Sequence, residues 1–373
     1  MMSNVITRVT ATPVLVPVIV GEAARWVRRE HLDRTIVEIE TADGIVGLGE
    51  ARGLWPAKTI SKRFAPLLIG AKADDHDELR RRCLRPLDFG FPERHCDTLA
   101  YAAIDLALWD IAGKTQGKPL YELLGGAVRE RAQFAAFGYP PDPEEGFSEK
   151  DVPRVLAEQA EKAVEDRGAT YFEFKIARYR SHVDIPTIRA VRKAVGDDFP
   201  IAVDANQTYD EETAAEVLKQ VADQRLDNFE EPVRSLAGID RLAKAFGVNV
   251  SSHCVDVDVL RAFPNIGASV PDICIFGSLS TLMRHMNDMS RMGRGTWLRA
   301  MWELGISWAA MCHVGISSSA ISRPSQSLID YAENDLIIGE PWSVHDGGVR
   351  VPARPGLGIE LDRPALEKYR ADV

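Results

Sequence analysis

Four short apolar runs between residues 172 and 254 each end on a residue that can hold a proton or a metal ion. The runs and their last residues are FEFK at Lys175, FPIAVD at Asp204, LDNFE at Glu230 and VNVSSH at His253. Successive ends lie 23 to 29 residues apart, which fits one strand, one loop and one amphipathic helix per repeat. Such repeats pack their strands parallel, with the last residues at one rim. In a closed β/α barrel that rim carries the active site, so we expect these side chains to meet there.

The length of 373 residues predicts more than one domain, because a β/α barrel takes about 250 residues. Residues 5–50 alternate in the manner of a three-stranded meander, with Ala42-Asp43-Gly44 as a hairpin turn. From 57 to 124 the apolar spacing becomes helical. We expect the first barrel strand near residue 134, and later strands at ICIF 273–276, ISWAAMCH 306–313 and SLID 327–330.

Composition excludes several classes of function. A net charge of −10 without a basic run argues against a nucleic-acid partner. No apolar run approaches the roughly 20 residues of a membrane span, and Pro13 and Pro17 interrupt the apolar amino-terminal segment, which predicts a strand rather than a signal peptide. The 5 cysteines are widely spaced without a CxxC pair, which favours a reduced, cytoplasmic setting.

The segment GEAARWVRREHLDR is locally basic within this acidic chain. Its arginines include Arg25, Arg28 and Arg29. A solvated loop is the default interpretation of such a charge run. The functional alternative is a flap that closes over an anionic substrate, because guanidinium groups bind carboxylates in pairs of hydrogen bonds.

Four motifs, taken in order, resemble those of the enolase superfamily, in its mandelate racemase and glucarate dehydratase branch. AIDLALWDIAGKTQGKPLYELLGG resembles the capping-domain signature, VDAN and FEEP resemble the two acidic strand ends, and VPARPGLGIELD resembles the closing motif. The resemblance implies a modified TIM-type (β/α) barrel with an α+β capping domain built from both chain ends. We expect a capping domain at 1–133, a catalytic barrel at 134–340 and a tail at 341–373 that packs on the cap. It also implies a homo-oligomer.

The same resemblance implies a divalent metal ion on three strand ends. By position, Asp204 and Glu230 are the first two ligands, and His253 falls where related members have an asparagine. Magnesium is the usual ion, but an imidazole suits manganese or another divalent metal better, so His253 as a ligand and His253 as a pocket residue both stay open. A register shift would bring in Cys254, and nearby loop carboxylates are a further source of ligands.

The base that removes a proton α to a carboxylate is, by the resemblance, Lys175. Glu173 stands where the family has the lysine that faces the substrate carboxylate, and we assign it to substrate binding. From the residues alone, Glu173 and Lys175 could instead form a strand-end salt bridge. By the same resemblance, Met311 stands at the position of the family's strand-seven histidine, and Gly277 at the position of its strand-six aspartate partner.

Two residues are candidates to take over the second catalytic role. His313 shares the strand facing of Met311, two residues on, and Asp330 falls where dehydratases place a carboxylate on strand eight. The leading hypothesis is an acid-sugar dehydratase-like lyase acting on a small hydroxy-carboxylate, with Mg2+ or Mn2+ as cofactor. The alternatives are a racemase or epimerase of an α-substituted carboxylate, and a ligand-binding family member without turnover.

Overall fold

The chain forms a parallel β/α barrel covered by an antiparallel sheet and a set of helices. The computed structural model describes residues 4–19, 30–84, 95–142, 146–338 and 342–372. The strands are β1 Ile6–Pro17, β2 His31–Thr41, β3 Val46–Arg52, β4 Ala132–Gln133, β5 Ala136–Gly138, β6 Phe172–Lys175, β7 Ile201–Asp204, β8 Asn228–Glu230, β9 Val250–Ser252, β10 Ala268–Ser269, β11 Gly295–Thr296, β12 Ile337–Ile338, β13 Gly348–Val349 and β14 Glu360–Leu361.

Helices cover the barrel and build much of the cap. They are α1 Trp55–Thr59, α2 Ala65–Leu68, α3 His76–Cys83, α4 His95–Gln116, α5 Leu120–Leu123, α6 Val152–Arg167, α7 Ser181–Val195, α8 Glu211–Gln220, α9 Leu236–Phe246, α10 Val257–Arg261, α11 Leu279–Arg291, α12 Gly305–Ser317 and α13 Arg363–Lys368. A π-helical stretch, Ile60–Phe64, joins α1 to α2, and Ala222–Gln224 and Ile329–Tyr331 are 3₁₀ turns. Within the described ranges, no helix combines the length and apolar character that a membrane crossing needs.

The barrel sheet contains seven parallel strands in the order β5 to β11. The eighth position is filled by residues 321–326, which bridge both edges through Thr296 with Ile321 and Phe134 with Ser325. This segment closes the barrel, and all strand ends therefore share one rim.

The cap is the predicted meander with a long buried helix against it. Strands β1, β2 and β3 pair antiparallel in sequence order. Helix α4 crosses this sheet, and the buried carboxylate of Asp110 accepts hydrogen bonds from the backbone of Leu48 on β3 and of Leu357 in the tail. The backbone of Leu15 also bonds to Tyr369, so the carboxyl-terminal residues contact the amino-terminal sheet. The predicted domain boundaries stay a prediction.

Three strand predictions in the later half of the barrel are wrong. Residues 273–276 form a turn after β10, and residues 306–313 lie in helix α12. Residues 327–330 enter a 3₁₀ turn after the closing segment. All 13 residues of α12 are buried, so the helix has no polar face. A helix that is apolar all round shows no helical periodicity, and its run of apolar residues imitates a buried strand.

Candidate active site

The last residues of four neighbouring barrel strands lie side by side at the rim. Lys175 of β6 pairs in register with Asp204 of β7, which pairs with Glu230 of β8. Glu230 in turn pairs with Ser251 of β9, two residues before His253. The predicted convergence is therefore confirmed by the strand register. Alternate residues of a strand face the same side, so Glu173 and Lys175 point into the barrel while Phe172 and Phe174 join the apolar core behind it.

Three carboxylates form a compact buried cluster at this rim. An oxygen from each of Glu173, Asp204 and Glu230 lies within 4.8 Å of the others. Each residue is at most 2% exposed. Like charges at such separations in a poorly solvated place repel strongly, so the cluster needs positive partners.

The pKa values of the three carboxyls show this crowding. Burial, followed by the charge of Glu230, raises the pKa of Glu173 well above its usual value. Burial also raises the pKa of Asp204, although Lys175 opposes the shift. For Glu230, burial would raise the pKa, but the hydrogen bond and charge of His253, together with Lys175 and Gln326, outweigh burial, and the pKa falls below the usual value. The cluster thus holds Glu230 ionised most firmly.

Lys175 is the positive partner within the cluster. Its Nζ donates to Oδ2 of Asp204, and the side chain is 14% exposed. Burial alone would lower the pKa of Lys175, but the charge of Asp204, together with Tyr139, Glu173 and Glu230, outweighs burial and raises it. Asn206 fixes the same carboxylate through its backbone N–H at 2.7 Å and its Nδ2 at 2.9 Å. Lys175 is consequently an ammonium group as long as Asp204 pairs with it.

His253 lies between a carboxylate and a guanidinium group. Its Nε2 lies 3.0 Å from Oε1 of Glu230, and its Nδ1 lies 3.2 Å from Nη1 of Arg299. Burial lowers the pKa of His253, but the hydrogen bond to Glu230 and the charges of Glu230 and Glu231 together offset burial, and the net shift is upward. The Arg299 contact nevertheless fixes the tautomer in this arrangement. A guanidinium carries donors only, so Nδ1 accepts from Arg299, and the protonated Nε2 donates a hydrogen bond to the Glu230 carboxylate.

Three site residues were missed by the sequence analysis. Gln326, on the closing segment, donates from Nε2 to Oε1 of Glu173 and to Oε2 of Glu230, both at 2.9 Å. Arg299 follows β11, and its Nη2 donates to Oδ2 of Asp272, which follows β10, at 2.8 Å. The same rule that found the first four strand ends would have found two of these, because ASVPD and TWLR are apolar runs that end on charged residues. Gln326 follows a polar stretch and gives no such signal.

The strand ends form the floor of a cavity of about 220 Å³. Its wall combines groups of the barrel with Arg52 at the end of β3, so the cap contributes to the site. The other described lining residues are Phe137, Tyr139, Lys175, Asp204, Asn206, Glu230, His253, Arg299, Ala300, Met301, Trp302, Gln326 and Leu328. A cavity with this mixture of aromatic, cationic and carboxylate groups suits a small polar anion.

Several predicted site residues lie elsewhere. His313 is buried in α12, where Nδ1 accepts from the backbone of Tyr121 at 3.1 Å and Nε2 lies 3.1 Å from the carbonyl oxygen of Leu357. It connects the barrel to the cap and the structure does not bring it to the rim. Asp330 is exposed and pairs with Arg167 at 2.6 Å. It lines a second cavity, of about 380 Å³, whose described walls contain none of the three clustered carboxylates.

Glu173 also departs from its predicted place. It is absent from the described residues of the cavity wall and lies beneath them, facing Asp204 and Glu230. The structure therefore does not support contact between Glu173 and a substrate. Arg25, Arg28 and Arg29 lie outside the described residues.

The prediction that Met311 and Gly277 lie at the ends of barrel strands is wrong. Met311 lies in α12, and Gly277 lies in the turn before α11. Strand β10 leads to Asp272 and strand β11 leads to Arg299. Of the other candidate ligands, Cys254 directs its sulfur at the carbonyl of Asp256, at 3.9 Å, and not at the carboxylates.

The donor set at the rim fits a hard divalent cation. Three carboxylates supply oxygen, which Mg2+ and Mn2+ prefer. Their only strong positive neighbour among the described contacts is Lys175, so the cluster retains negative charge that a cation would compensate. The residues present therefore fit a metal ion of this class.

Comparison with known proteins decides the family. A family model described as "Enolase C-terminal domain-like" matches residues 155–365. A second, "Mandelate racemase / muconate lactonizing enzyme, N-terminal domain", matches residues 6–125. The chain belongs to the enolase superfamily, in its mandelate racemase/muconate lactonizing enzyme branch.

Curated relatives of this superfamily member include sugar-acid dehydratases. It is 28% identical to "Probable glucarate dehydratase" of Streptomyces coelicolor, covering 97% of this chain and 90% of that one. It is 30% identical to "Arabinonate dehydratase" of Saccharolobus solfataricus, covering 91% and 92%. Cycloisomerases match as well, among them "D-galactarolactone cycloisomerase" of Agrobacterium fabrum at 27% identity, over 93% of each chain.

Solved structures of the superfamily share the fold over nearly the whole chain. An enolase described as a putative sugar isomerase, from Streptomyces coelicolor, superposes with a TM-score of 0.87 at 26% identity, covering 98% of this chain and 96% of that one. An enolase from Pseudomonas fluorescens, with bound magnesium, potassium and tartrate, gives a TM-score of 0.85 at 25% identity over 99% and 92%. The barrel and cap of this superfamily member are thus those of its relatives.

Proposed function

We propose that the protein is an acid-sugar dehydratase-like lyase that removes the proton α to a carboxylate and then eliminates water. The observation that carries this proposal is the contact of Lys175 with a buried carboxylate cluster at the floor of a small polar cavity. Relatives named glucarate, arabinonate and gluconate dehydratase support the same reaction class. The substrate class is a small hydroxy-carboxylate, which fits the cationic groups on the cavity wall.

Asp204 and Glu230 are the residues that hold the metal ion in this proposal, with a further carboxylate nearby in Glu173. When bound, Mg2+ or Mn2+ supplies Lewis-acid stabilisation for the charge that develops on the substrate carboxylate. Asn206 and Gln326 keep the carboxylates oriented through hydrogen bonds of 2.7 to 2.9 Å. The chain thereby preorganises the site before substrate arrives.

Lys175 moves the protons. As the protein stands, Asp204 raises the pKa of Lys175, which keeps the group charged and unable to accept a proton. When Asp204 pairs with another cation, its charge no longer stabilises the ammonium form of Lys175. Burial then lowers the pKa of Lys175 towards the range of a general base. The neutral amine then takes the α-proton, and the resulting ammonium group can return the proton to the β-hydroxyl as it leaves as water. The enol product tautomerises to a 2-keto-3-deoxy acid.

The opposite wall disfavours the racemase alternative. Direct racemisation needs a base on each side of the α-carbon, and β11 leads to Arg299, whose guanidinium stays protonated. His253 has Nδ1 and Nε2 both engaged, by Arg299 and Glu230. Lys175 is therefore the best-placed base on the described wall, which favours proton removal from a single face.

A panel experiment tests the proposal. The purified protein, loaded with Mg2+ or Mn2+, is incubated with stereochemically complete sets of aldonic and aldaric acids in heavy water. We expect keto-acid formation, read as a semicarbazone, with at least one acid, and loss of it in Lys175→Met. Exchange of the α-proton without keto acid would instead indicate the racemase or epimerase activity.

The non-catalytic alternative rests on the Lys175–Asp204 ion pair, which holds the base in its charged form. Bound acid with neither exchange nor keto acid, in folded and metal-loaded protein, would favour that alternative. It would overturn the proposed lyase activity.

A further inference from the structure

We propose that Glu173 supplies the third carboxylate ligand of the metal ion, and that His253 positions Glu230 without binding the ion. This inference rests on the proposed function for the presence of a metal ion at this rim. It changes the substrate-binding role that the sequence suggested for Glu173, and it decides between the two roles left open for His253, metal ligand and pocket residue.

The first observation is the position of the Glu173 carboxylate. It belongs to the set of oxygens that lie within 4.8 Å of one another, together with those of Asp204 and Glu230. Three oxygens at such separations can share one cation, since metal-oxygen distances of about 2.0 to 2.6 Å place ligands of a common ion that far apart. At 2% exposed, Glu173 has little contact with bulk solvent that would stabilise its charge.

The second observation is that both nitrogens of His253 are already used. Nε2 donates to Oε1 of Glu230 at 3.0 Å, and Nδ1 accepts from Nη1 of Arg299 at 3.2 Å. Arg299 is itself fixed by Asp272 at 2.8 Å. No lone pair of the imidazole faces the carboxylates in this arrangement, so the ring acts as a neighbour that orients a ligand, as outer partners of metal sites commonly do.

The third observation is that Gln326 bridges the carboxylates of Glu173 and Glu230. Its amide nitrogen donates to an oxygen of each carboxylate at 2.9 Å. One neutral amide cannot neutralise two carboxylates, but it holds them facing each other. Among the described residues, Lys175 is the ammonium group in contact with the cluster. With all three carboxylates ionised, two negative charges then remain, which matches a divalent cation.

The donor chemistry gives a consequence for metal selectivity. A set of three carboxylate oxygens prefers hard cations such as Mg2+ and Mn2+, whereas an imidazole ligand raises the preference for Zn2+ and Ni2+. We therefore expect the protein to bind Mn2+ through oxygen alone.

Electron spin-echo envelope modulation of the Mn2+-loaded, substrate-free protein tests this directly. We expect no coupling to a directly bound imidazole nitrogen. Nitrogen coupling that disappears in His253→Gln would overturn the inference. The expected absence of imidazole coupling is read on the unaltered protein, so that outcome does not depend on whether a variant folds.

Mn2+ affinity, measured by titration, gives the second readout. We expect Glu173→Gln to bind Mn2+ at least about 100-fold more weakly, and His253→Gln to lose about 10-fold, as for the loss of an orienting partner. The matched control is Asp184→Asn, a buried carboxylate outside the cluster that pairs with Tyr209, and its affinity should stay unchanged. Unchanged affinity in folded Glu173→Gln would overturn the role of Glu173.

These outcomes separate the inference from the proposed function. Mn2+ binding with nitrogen coupling overturns the inference alone, since a metal-assisted lyase remains intact. Oxygen-only binding that depends on Glu173 supports the inference even where no acid in the panel is dehydrated. Wild-type protein that binds no Mn2+ at millimolar concentration overturns both.

Discussion

The strands from β6 to β9 and the strands after them share one rim, but they are stabilised in different ways. Strands β6, β7 and β8 are each followed by an amphipathic helix, and the early half encloses a separate apolar core with members such as Ile188 and Val217. The later strands β10 and β11 have two residues each, and their core is shared with the cap. That core runs from Val14 and Leu48 of the meander to Trp297 and Trp308 of the barrel.

The contrast explains where periodicity is informative. In the early half each helix has one apolar face and one solvent-exposed face, so its hydrophobic periodicity is visible in the local sequence. In the later half, α12 lies between the barrel and the cap and has no wet face. Its environment is set by residues far away in sequence, which no local pattern encodes.

The largest expected effect is at the rim of the early half. Asp204→Asn should lower dehydratase turnover by about 1,000-fold or more, because it removes a metal ligand and the ionic partner of Lys175. Turnover is measured by keto-acid formation on whichever acid the panel identifies, with circular dichroism as the folding control. Retained turnover in the folded variant would break the assignment of catalysis to the early half.

The next effect tests the shared core of the later half. Trp308→Ala should lower the free energy of unfolding by about 3–5 kcal/mol, because the ring is 2% exposed, packs on Phe134 and donates to the carbonyl of Trp342 at 2.9 Å. Urea titration measures the change. Leu15→Ala, at a side chain 38% exposed on the cap, is the control and should change it by less than about 0.5 kcal/mol. A loss below about 1 kcal/mol at Trp308 would show that α12 is not held by both neighbours.

A smaller effect tests the contact of α12 with the cap by pH. Burial lowers the pKa of His313 from 6.5 to about 4, and a second proton would put Nδ1–H against the N–H of Tyr121. A pKa depressed by folding gives stability that is present above the unfolded pKa and lost as pH falls towards the folded one. At pH 5 this group should have removed about 2 kcal/mol relative to pH 8.

The variant that checks the pH prediction is His313→Gln, which can accept and donate in the same places without titrating. The difference between the urea stabilities of wild type and variant at the two pH values isolates His313 from other groups. Equal pH dependence in both proteins would contradict a neutral, structural His313.

The smallest effect is at Asp330. Asp330→Asn should change turnover by less than about 3-fold and stability by less than about 1 kcal/mol, because its ion pair with Arg167 is solvent-exposed, with side chains 55% and 63% exposed. Turnover and urea midpoints measure both. A large loss of turnover at unchanged stability would indicate that residues of the later half take part in catalysis.

The sequence identified the site residues best where they end regular strands of the β/α repeat. Lys175, Asp204 and Glu230 end regular strands, and adjacency in a parallel sheet follows from their spacing alone. His253 was placed correctly beside them. The strand-end rule also indicates Arg299 as a rim residue, but its contact with His253 depends on barrel closure, because Arg299 follows a strand of two residues. His313 was misplaced because the sequence does not distinguish a buried, structural histidine from a catalytic one.

By itself, the sequence determined the β/α repeat, the meander of the cap and the presence of acids and a lysine at one rim, since these depend on short-range periodicity and on the fixed geometry of parallel strands. Only the tertiary structure decided that Glu173 faces the acids, that Gln326 bridges two of them and that α12 is a helix. The physical reason is that burial and hydrogen-bond partners across the barrel are long-range properties, which the order of residues within one element does not specify.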